Sequence, residues 1–409
     1  MRIGRWWADA AGGLPATYWF LWTGLLINRV GGFAVLFLSL YLTVQRDAST
    51  AMAGLIAGAY GIGGIGGTLL GGVLTDGWGR RATLLLSHFT TAGVMVVLAL
   101  STNLTMIAAL ALLLGIMQSM PGPAFVAAII DVVPAERRSR AFNLQFWAFN
   151  LGMAGASLLA GVLAQWSYAG MFLIDAASTL VTGLLIAWKV PETRTAAAVP
   201  VERGLRTPLA DRIFLVFVGL TLLQSLLYSQ TNTIVPLAMN ADRLGAATYG
   251  LLTALSGTMI VVGQLFVPKL IDGRAKAWVL AVSLAIMATG FGLLSVAHGL
   301  ALYLTAAAIW TIGSMLAAPP NAEINSELAP LELRGRYQSV FFLTFPAAAF
   351  LAPALGGASL QFFGKGHWVI TAGIGVVAAG LHLVAGPARE RRVAAIRAKT
   401  GVTVSGSSG

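Results

Sequence analysis

The chain reads as an all-α membrane protein, with twelve transmembrane helices in two six-helix bundles related by a pseudo-two-fold axis. Three observations predict this. Of 409 residues, 57% are hydrophobic and 10% charged, whereas a soluble chain carries roughly 25% charged residues. A soluble fold of this composition would expose large apolar patches. Apolar stretches of about 20 residues, each long enough to cross a bilayer, recur along almost the whole length. Finally, the two halves align at a single offset of 196 residues.

Hydropathy places helices 1 to 6 near 17–44, 51–75, 83–101, 105–130, 141–165 and 168–189. Helices 7 to 12 fall near 212–240, 247–271, 277–297, 300–325, 337–363 and 366–386. Residues 1–189 form the first bundle and 212–390 the second. The segment 190–211, with Pro191, Pro200, Pro208 and many charges, is a cytoplasmic linker, and 391–409 is a tail ending in Ser and Gly. The first apolar run is too long for a signal peptide and lacks a cleavage site. Two helices carry breakers: Pro121-Gly122-Pro123 in helix 4 and Pro319-Pro320 in helix 10, each expected to break or kink its helix.

The internal repeat is carried by several loops and helices. Asp76 falls on Asp272, Pro123 on Pro319, Asp131 on Glu327 and Pro191 on Pro387. The loop from Pro134 to Arg140 falls on that from Pro330 to Arg336, and Ala160-Gly161 falls on Gly356-Gly357. Parallel repeats about an axis along the membrane normal are a known transporter construction.

The net charge of +11 invites a nucleic-acid reading, but its distribution opposes it. With the N-terminus inside, 22 basic residues fall on the inner side and only Arg46, Arg243 and Lys365 on the outer. The positive-inside rule then puts both termini in the cytoplasm. Part of this charge also suits contact with anionic lipid. The chain has no cysteine, which excludes disulfides and thiolate metal sites.

The strongest local motif lies between helices 2 and 3: Gly72-Val-Leu-Thr-Asp76-Gly-Trp-Gly79-Arg80-Arg81. With six plus six helices and the duplication, the chain resembles the major facilitator superfamily, whose loop signature is Gly-x-Leu-x-Asp-x-x-Gly-Arg-Arg/Lys. Pro191-Glu192-Thr193 is similar to that family's usual ending of helix 6. Gly72 is expected to let a neighbouring helix approach, and Gly79 to permit the turn. Asp76 and Arg80 bracket the turn and are expected to pair, with Asp131 as a second partner for Arg80. The resemblance implies that this network latches the two halves in the outward-open state; a plain loop with solvated charges is the alternative. The second copy has Ala275 and Lys276 in place of Gly79 and Arg80, so a full latch is expected only in the first half. In the drug:proton antiporter branch, helix 5 carries Gly-Pro-x-x-Gly-Gly. Here Ser157 replaces the Pro and Ala160 one Gly, while Pro353-Ala-Leu-Gly356-Gly357 in helix 11 is closer.

Ionisable residues at bilayer depth are costly and are functional candidates. Arg29 in helix 1 and Asp175 in helix 6 fall at matching depths, about 18 and 20 Å from the inner face at 1.5 Å per residue. They are expected to pair, directly or through polar neighbours, with Asn28, Gln145 and Asn150 completing the network. Asp175 then exchanges a proton, or the pair only stabilises the bundle. Glu323, beside the Pro319-Pro320 break, is the second proton-coupling candidate, with Asn321 and Asn325 beside it at the inner cavity. His88 is expected to be a packing residue. Trp22, Phe33, Gln118, Gln224, Tyr228, Asn232 and Trp310 suggest a mostly apolar cavity with few polar groups, suited to an amphiphilic ligand.

No nucleotide-binding loop, metal cluster or nucleophile constellation occurs in any hydrophilic segment. Neither an enzyme nor a cofactor or metal is therefore expected. The leading expectation is a secondary transporter working by alternating access, exporting drugs or amphiphilic molecules against protons. The alternative is a proton-coupled uptake symporter for a peptide or organic acid, and a third class is a non-transporting sensor or scaffold. The expected partners are a small-molecule substrate, protons and membrane lipids, without nucleic acid. A monomer in a bacterial cell (inner) membrane is expected.

Overall fold

The computed structural model describes residues 13–32, 35–164, 166–194, 206–264, 266–330 and 333–399. Among the described residues the chain is helical, with no strand. Among the described residues, eleven helical spans are long and apolar enough to cross a membrane. Arg138–Leu163 is a further helix of 26 residues in the fifth position, and is more polar because it carries Arg138, Arg140, Asn143 and Gln145. The middle of the linker, the end of the tail, Phe33, and the side chains of Asn150 and Ser157 lie outside the described residues.

Helix starts follow local capping chemistry. Ser49 opens helix 2 (Thr50–Gly77) by accepting from the Met52 N–H at 3.2 Å. Asn103 opens helix 4 by accepting from Thr105 and Met106, and Ser167 opens helix 6 (Tyr168–Lys189) by accepting from Gly170. Each satisfies N–H groups that have no partner inside the helix.

The expected break in helix 4 is present. Leu104–Ser119 and Pro121–Val132 meet at Met120, because prolines 121 and 123 bring no N–H to the ladder. Helix 10 is not broken by its prolines. Leu300–Leu328 runs unbroken through Pro319 and Pro320. Proline is tolerated inside a membrane helix whose neighbours re-satisfy the freed groups, and the small residues Gly313, Ala317 and Ala318 keep this stretch narrow. Helix 1, expected to be continuous, is in two pieces, Ala16–Gly31 and Leu38–Gln45. The first piece stops at Gly31-Gly32, where the Gly32 N–H turns back to the Arg29 carbonyl. Helix 8 is likewise split into Ala246–Gly263 and Val267–Ile271, and helix 11 into Arg334–Phe342 and Thr344–Phe363. Helix 12, Gly366–Lys399, continues 13 residues past its expected end at 386, about 20 Å. The remaining membrane helices are 3 (Arg80–Leu100), 7 (Arg212–Ala241) and 9 (Lys276–Leu293).

By contact the chain divides into two compact units. One comprises Met1–Pro200, Asn232–Gly257 and Ala349–Gln361; the other comprises Val201–Thr231, Thr258–Ala348 and Phe362–Gly409. The cut crosses helices 7, 8 and 11 rather than following the sequence halves. In the first unit, helices 2 and 4 pack backbone to backbone. A Cβ on Gly63, Gly67 or Gly71 would overlap the carbonyl oxygens of Leu112, Ile116 and Met120. Spacing of four residues keeps these glycines on one face. An apolar cluster of Leu21, Leu84, Ala124, Ala128, Ile186 and Val190 joins helices 1, 3, 4 and 6. In the second unit, Phe291 stacks on Trp310 at 5.0 Å and on Trp368 at 6.2 Å, joining helices 9, 10 and 12.

Candidate transport site and latch

The first-half loop is organised around a carboxylate that the signature does not include. Helix 2 closes with the Trp78 N–H on the Leu74 carbonyl, and Gly79 follows at φ 106°, a conformation side chains disfavour. Helix 3 then begins, and Glu192 caps its start. Glu192 Oε1 accepts from the backbone N–H of Arg80 at 2.9 Å, and Oε2 from that of Arg81 at 3.1 Å. Oε1 also accepts from Thr193 and Arg194, each at 3.0 Å. Partial burial pushes the Glu192 carboxyl upward, but these four donors outweigh it and hold the group below its ordinary value. A Cβ at Gly79 would collide with the carboxylate. Glycine is thus required twice, for the turn and for the space.

Arg80 lies beside this cap. Its Nε pairs with Asp131 Oδ2 at 2.8 Å, and both side chains are almost wholly buried, 12% and 13% exposed. It also donates to the Thr75 carbonyl, while Thr193 Oγ1 donates to Asp131. Arg81 donates to the Ala187 carbonyl at 2.6 Å, and Arg194 to that of Gly77 at 2.7 Å. Two expectations need correction. Asp76 is exposed and makes no ion pair among the described residues, so Arg80 pairs with Asp131 instead. Gly72 faces open space, and the close approach is at Gly71 against Met120. One helical position is 100° of rotation, enough to exchange a contact for a free face.

The second copy keeps the ion pair. The same offset that maps Arg80 to Lys276 maps Asp131 to Glu327, and Lys276 Nζ meets Glu327 Oε1 at 2.8 Å. Glu323 Oε2 joins at 2.9 Å. A lysine on a flexible stem thus performs the pairing that sequence reading reserved for arginine. The carboxylate cap has no counterpart, because Glu192 maps to Ala388. The Glu323 side chain is 57% exposed and charge-paired at the end of its helix.

At bilayer depth the first unit holds a polar core. Asp175 is 1% exposed and lies seven residues into helix 6. Asn28 Nδ2 donates to Thr179 Oγ1 at 3.0 Å, and Thr179 donates to Asp175 Oδ1 at 3.4 Å. Helix 1 therefore reaches Asp175 through Asn28 and Thr179. Arg29 makes no ion pair with Asp175 within 4.0 Å, but lies within electrostatic reach of it and of Tyr60. Its guanidinium sits 4.6 Å from the Phe149 ring centroid, and its Nε is buried without a hydrogen-bond acceptor. Gly152 of helix 5 lies so close to Arg29 that a Cβ there would overlap it. Tyr60 donates to Gln118 Oε1 at 2.8 Å. Gln145 is partly buried and makes no hydrogen bond among the described residues. His88 is buried with Nδ1 on the Leu84 carbonyl, as a packing residue would be.

Sequence reading missed Tyr60 and the end of the first piece of helix 1 at Gly31. The available signals were the lone tyrosine in a Gly/Ala-rich stretch and the Gly31-Gly32 pair. In the second unit, Asn321 Nδ2 donates to Gln224 Oε1 at 2.7 Å, and Tyr228 is 43% exposed. Asn232 is exposed. Trp22 donates to the Leu144 carbonyl at 2.8 Å. Trp310, expected to line the cavity, is 1% exposed and stacked in the core, because Gly290 lets helix 9 close on it.

Relatives and solved structures share this architecture. A Na(+), Li(+), K(+)/H(+) antiporter from Planococcus maritimus is 22% identical, covering 84% of this chain and 89% of its own. The multidrug resistance protein MdtH of Escherichia coli (strain SE11) is 24% identical, covering 87% of each chain. The crystal structure of a peptide transporter POT in complex with sulfate superposes with a TM-score of 0.79 at 15% identity, covering 93% of this chain and 96% of that one. The profile of the Major Facilitator Superfamily matches residues 21–353 and 217–406. With its helices, its repeated ion pair and this profile match over nearly its full length, the chain belongs to the Major Facilitator Superfamily of secondary transporters.

Proposed function

We propose that the protein is a proton-coupled exporter of amphiphilic small molecules that works by alternating access as a monomer in a bacterial inner membrane. The observation that carries the proton coupling is Asp175, a carboxylate 1% exposed at mid-membrane depth, with Arg29 and Tyr60 in its field. Ionisable groups in such places mark proton relays. Export is favoured by the names of two relatives, a multidrug resistance protein and a cation/H(+) antiporter. Both termini and the basic loops face the cytoplasm in this reading. The halves 1–189 and 212–390 rock about the 190–211 linker. The Arg80–Asp131 network and the Lys276–Glu327–Glu323 triad stabilise one end state. Arg29, Asn28, Gln118, Gln224, Tyr228 and Asn232 contribute to solute binding.

The test is proton-driven dye efflux in everted vesicles. Asp175→Asn abolishes coupled efflux while the protein still reaches the membrane; undiminished efflux in that variant removes Asp175 from the mechanism. A second reading, uptake of an anionic solute, is favoured by the unpartnered Nε of Arg29. Accumulation of a peptide or organic acid in right-side-out vesicles, lost in Arg29→Ala, supports uptake over export.

A further inference from the structure

The last two turns of helix 10 read Asn321-Ala-Glu323-Ile-Asn325-Ser-Glu327. Helical register separates this row into two faces. Glu323 and Glu327 turn to Lys276, at 2.9 and 2.8 Å. Asn321 and Asn325, four residues apart, stack on the other face and point inward, 8% and 5% exposed. Asn321 spends its amide N–H on Gln224 Oε1 at 2.7 Å. The side-chain oxygens of Asn321 and Asn325 are both buried and receive no hydrogen bond. A buried acceptor without a donor is costly, and two of them one turn apart on one helix face are a functional signal. Pro319 and Pro320 add to the oxygen surplus, since they bring no N–H to the carbonyls of Met315 and Leu316.

Oxygen-only donors select hard cations over soft ones. The paired oxygens are neutral amides, which do not repay the dehydration of a divalent ion as carboxylates do. A monovalent ion is the better match.

We propose that Asn321, Asn325 and Gln224 form a binding site for a small monovalent cation, Na+ or Li+, inside the second unit. This does not depend on which organic solute the protein carries.

The experiment is thermal unfolding of the purified full-length protein in detergent, titrated with NaCl or LiCl against choline chloride at constant ionic strength. The expected result is a saturable rise in Tm of several degrees with Na+ or Li+ and none with choline. That increment disappears in Asn325→Leu and in Asn321→Leu, and survives in Glu323→Gln with weaker apparent affinity. Asn325 makes no hydrogen bond to Gln224 among the described residues, so Asn325→Leu decides the matter if Asn321→Leu fails to fold. Equal responses to Na+, Li+ and choline, or an undiminished increment in Asn325→Leu, overturn the site.

Discussion

Arg80 and Glu192 illustrate how much a single side chain decides in this protein. Arg80 chooses Asp131 over the nearer-in-sequence Asp76, because Asp131 is the carboxylate turned into the same buried corner. Glu192 joins the end of helix 6 to the start of helix 3 through two backbone N–H groups, where the positive end of the helix dipole also favours an anion. Glu192→Ala is expected to cost about 1 kcal/mol, the usual loss for a removed cap. The pH dependence follows from the sign of its shift. A carboxyl held below its ordinary value contributes stability above its unfolded pKa, roughly 4.3, and loses it as pH falls through the folded value. The Tm gap between wild type and Glu192→Ala is therefore constant near neutrality and closes below about pH 4. A gap that persists unchanged in acid shows that the carboxylate charge is irrelevant.

At the scale of elements, the glycine face of helix 2 sets the first unit's packing. Gly67→Val places a branched side chain against the Ile116 carbonyl, with backbone on both sides and no flexible neighbour to yield. A loss of several kcal/mol is expected, since overpacking alone costs about 1–3 kcal/mol and here the helices must separate. Membrane yield and the size-exclusion profile read it out. Gly72→Val is the control, because Gly72 meets nothing within 4 Å and folding is unaffected. This pair also marks what was legible in the sequence. Apolar run length reveals that helix 2 exists and crosses the membrane. The Gly-rich motif reveals that some glycine is needed. Which of Gly71 and Gly72 touches helix 4 depends on rotation about the helix axis, and that is settled by the partner's backbone. The break in helix 1 was illegible for a related reason: hydropathy averages over Gly31-Gly32 without registering that the Gly32 N–H turns back to the Arg29 carbonyl.

At the scale of the whole molecule, the duplication is preserved as a physical interaction and not only as a pattern. Arg80–Asp131 and Lys276–Glu327 occupy equivalent places in the two copies, both at 2.8 Å. Lys276→Glu is expected to cut transport at least tenfold by placing three carboxylates together, and adding Glu327→Lys to restore a measurable fraction. Vesicle efflux of the single and double variants checks this. A double variant as inactive as the single one shows that the pair does not act through its charge. The copies then diverge at bilayer depth. The first has Arg29, Tyr60 and Asp175, and the second has the half-buried Gln224 on helix 7 and the buried Asn321 and Asn325 on helix 10.

The sequence by itself determined the membrane class, the helix count, the duplication and the buried position of Asp175. Each follows from how many apolar residues stand in a row and from one repeated spacing, which are local or additive properties of the chain. Only the tertiary structure decided that Glu192 caps helix 3, that Lys276 completes a second ion pair, that Trp310 belongs to the core, and that helix 10 continues past two prolines without a break. Those outcomes join residues as far as 112 positions apart. They depend on the rotation of each helix and the reach of each side chain, neither of which hydropathy or spacing encodes.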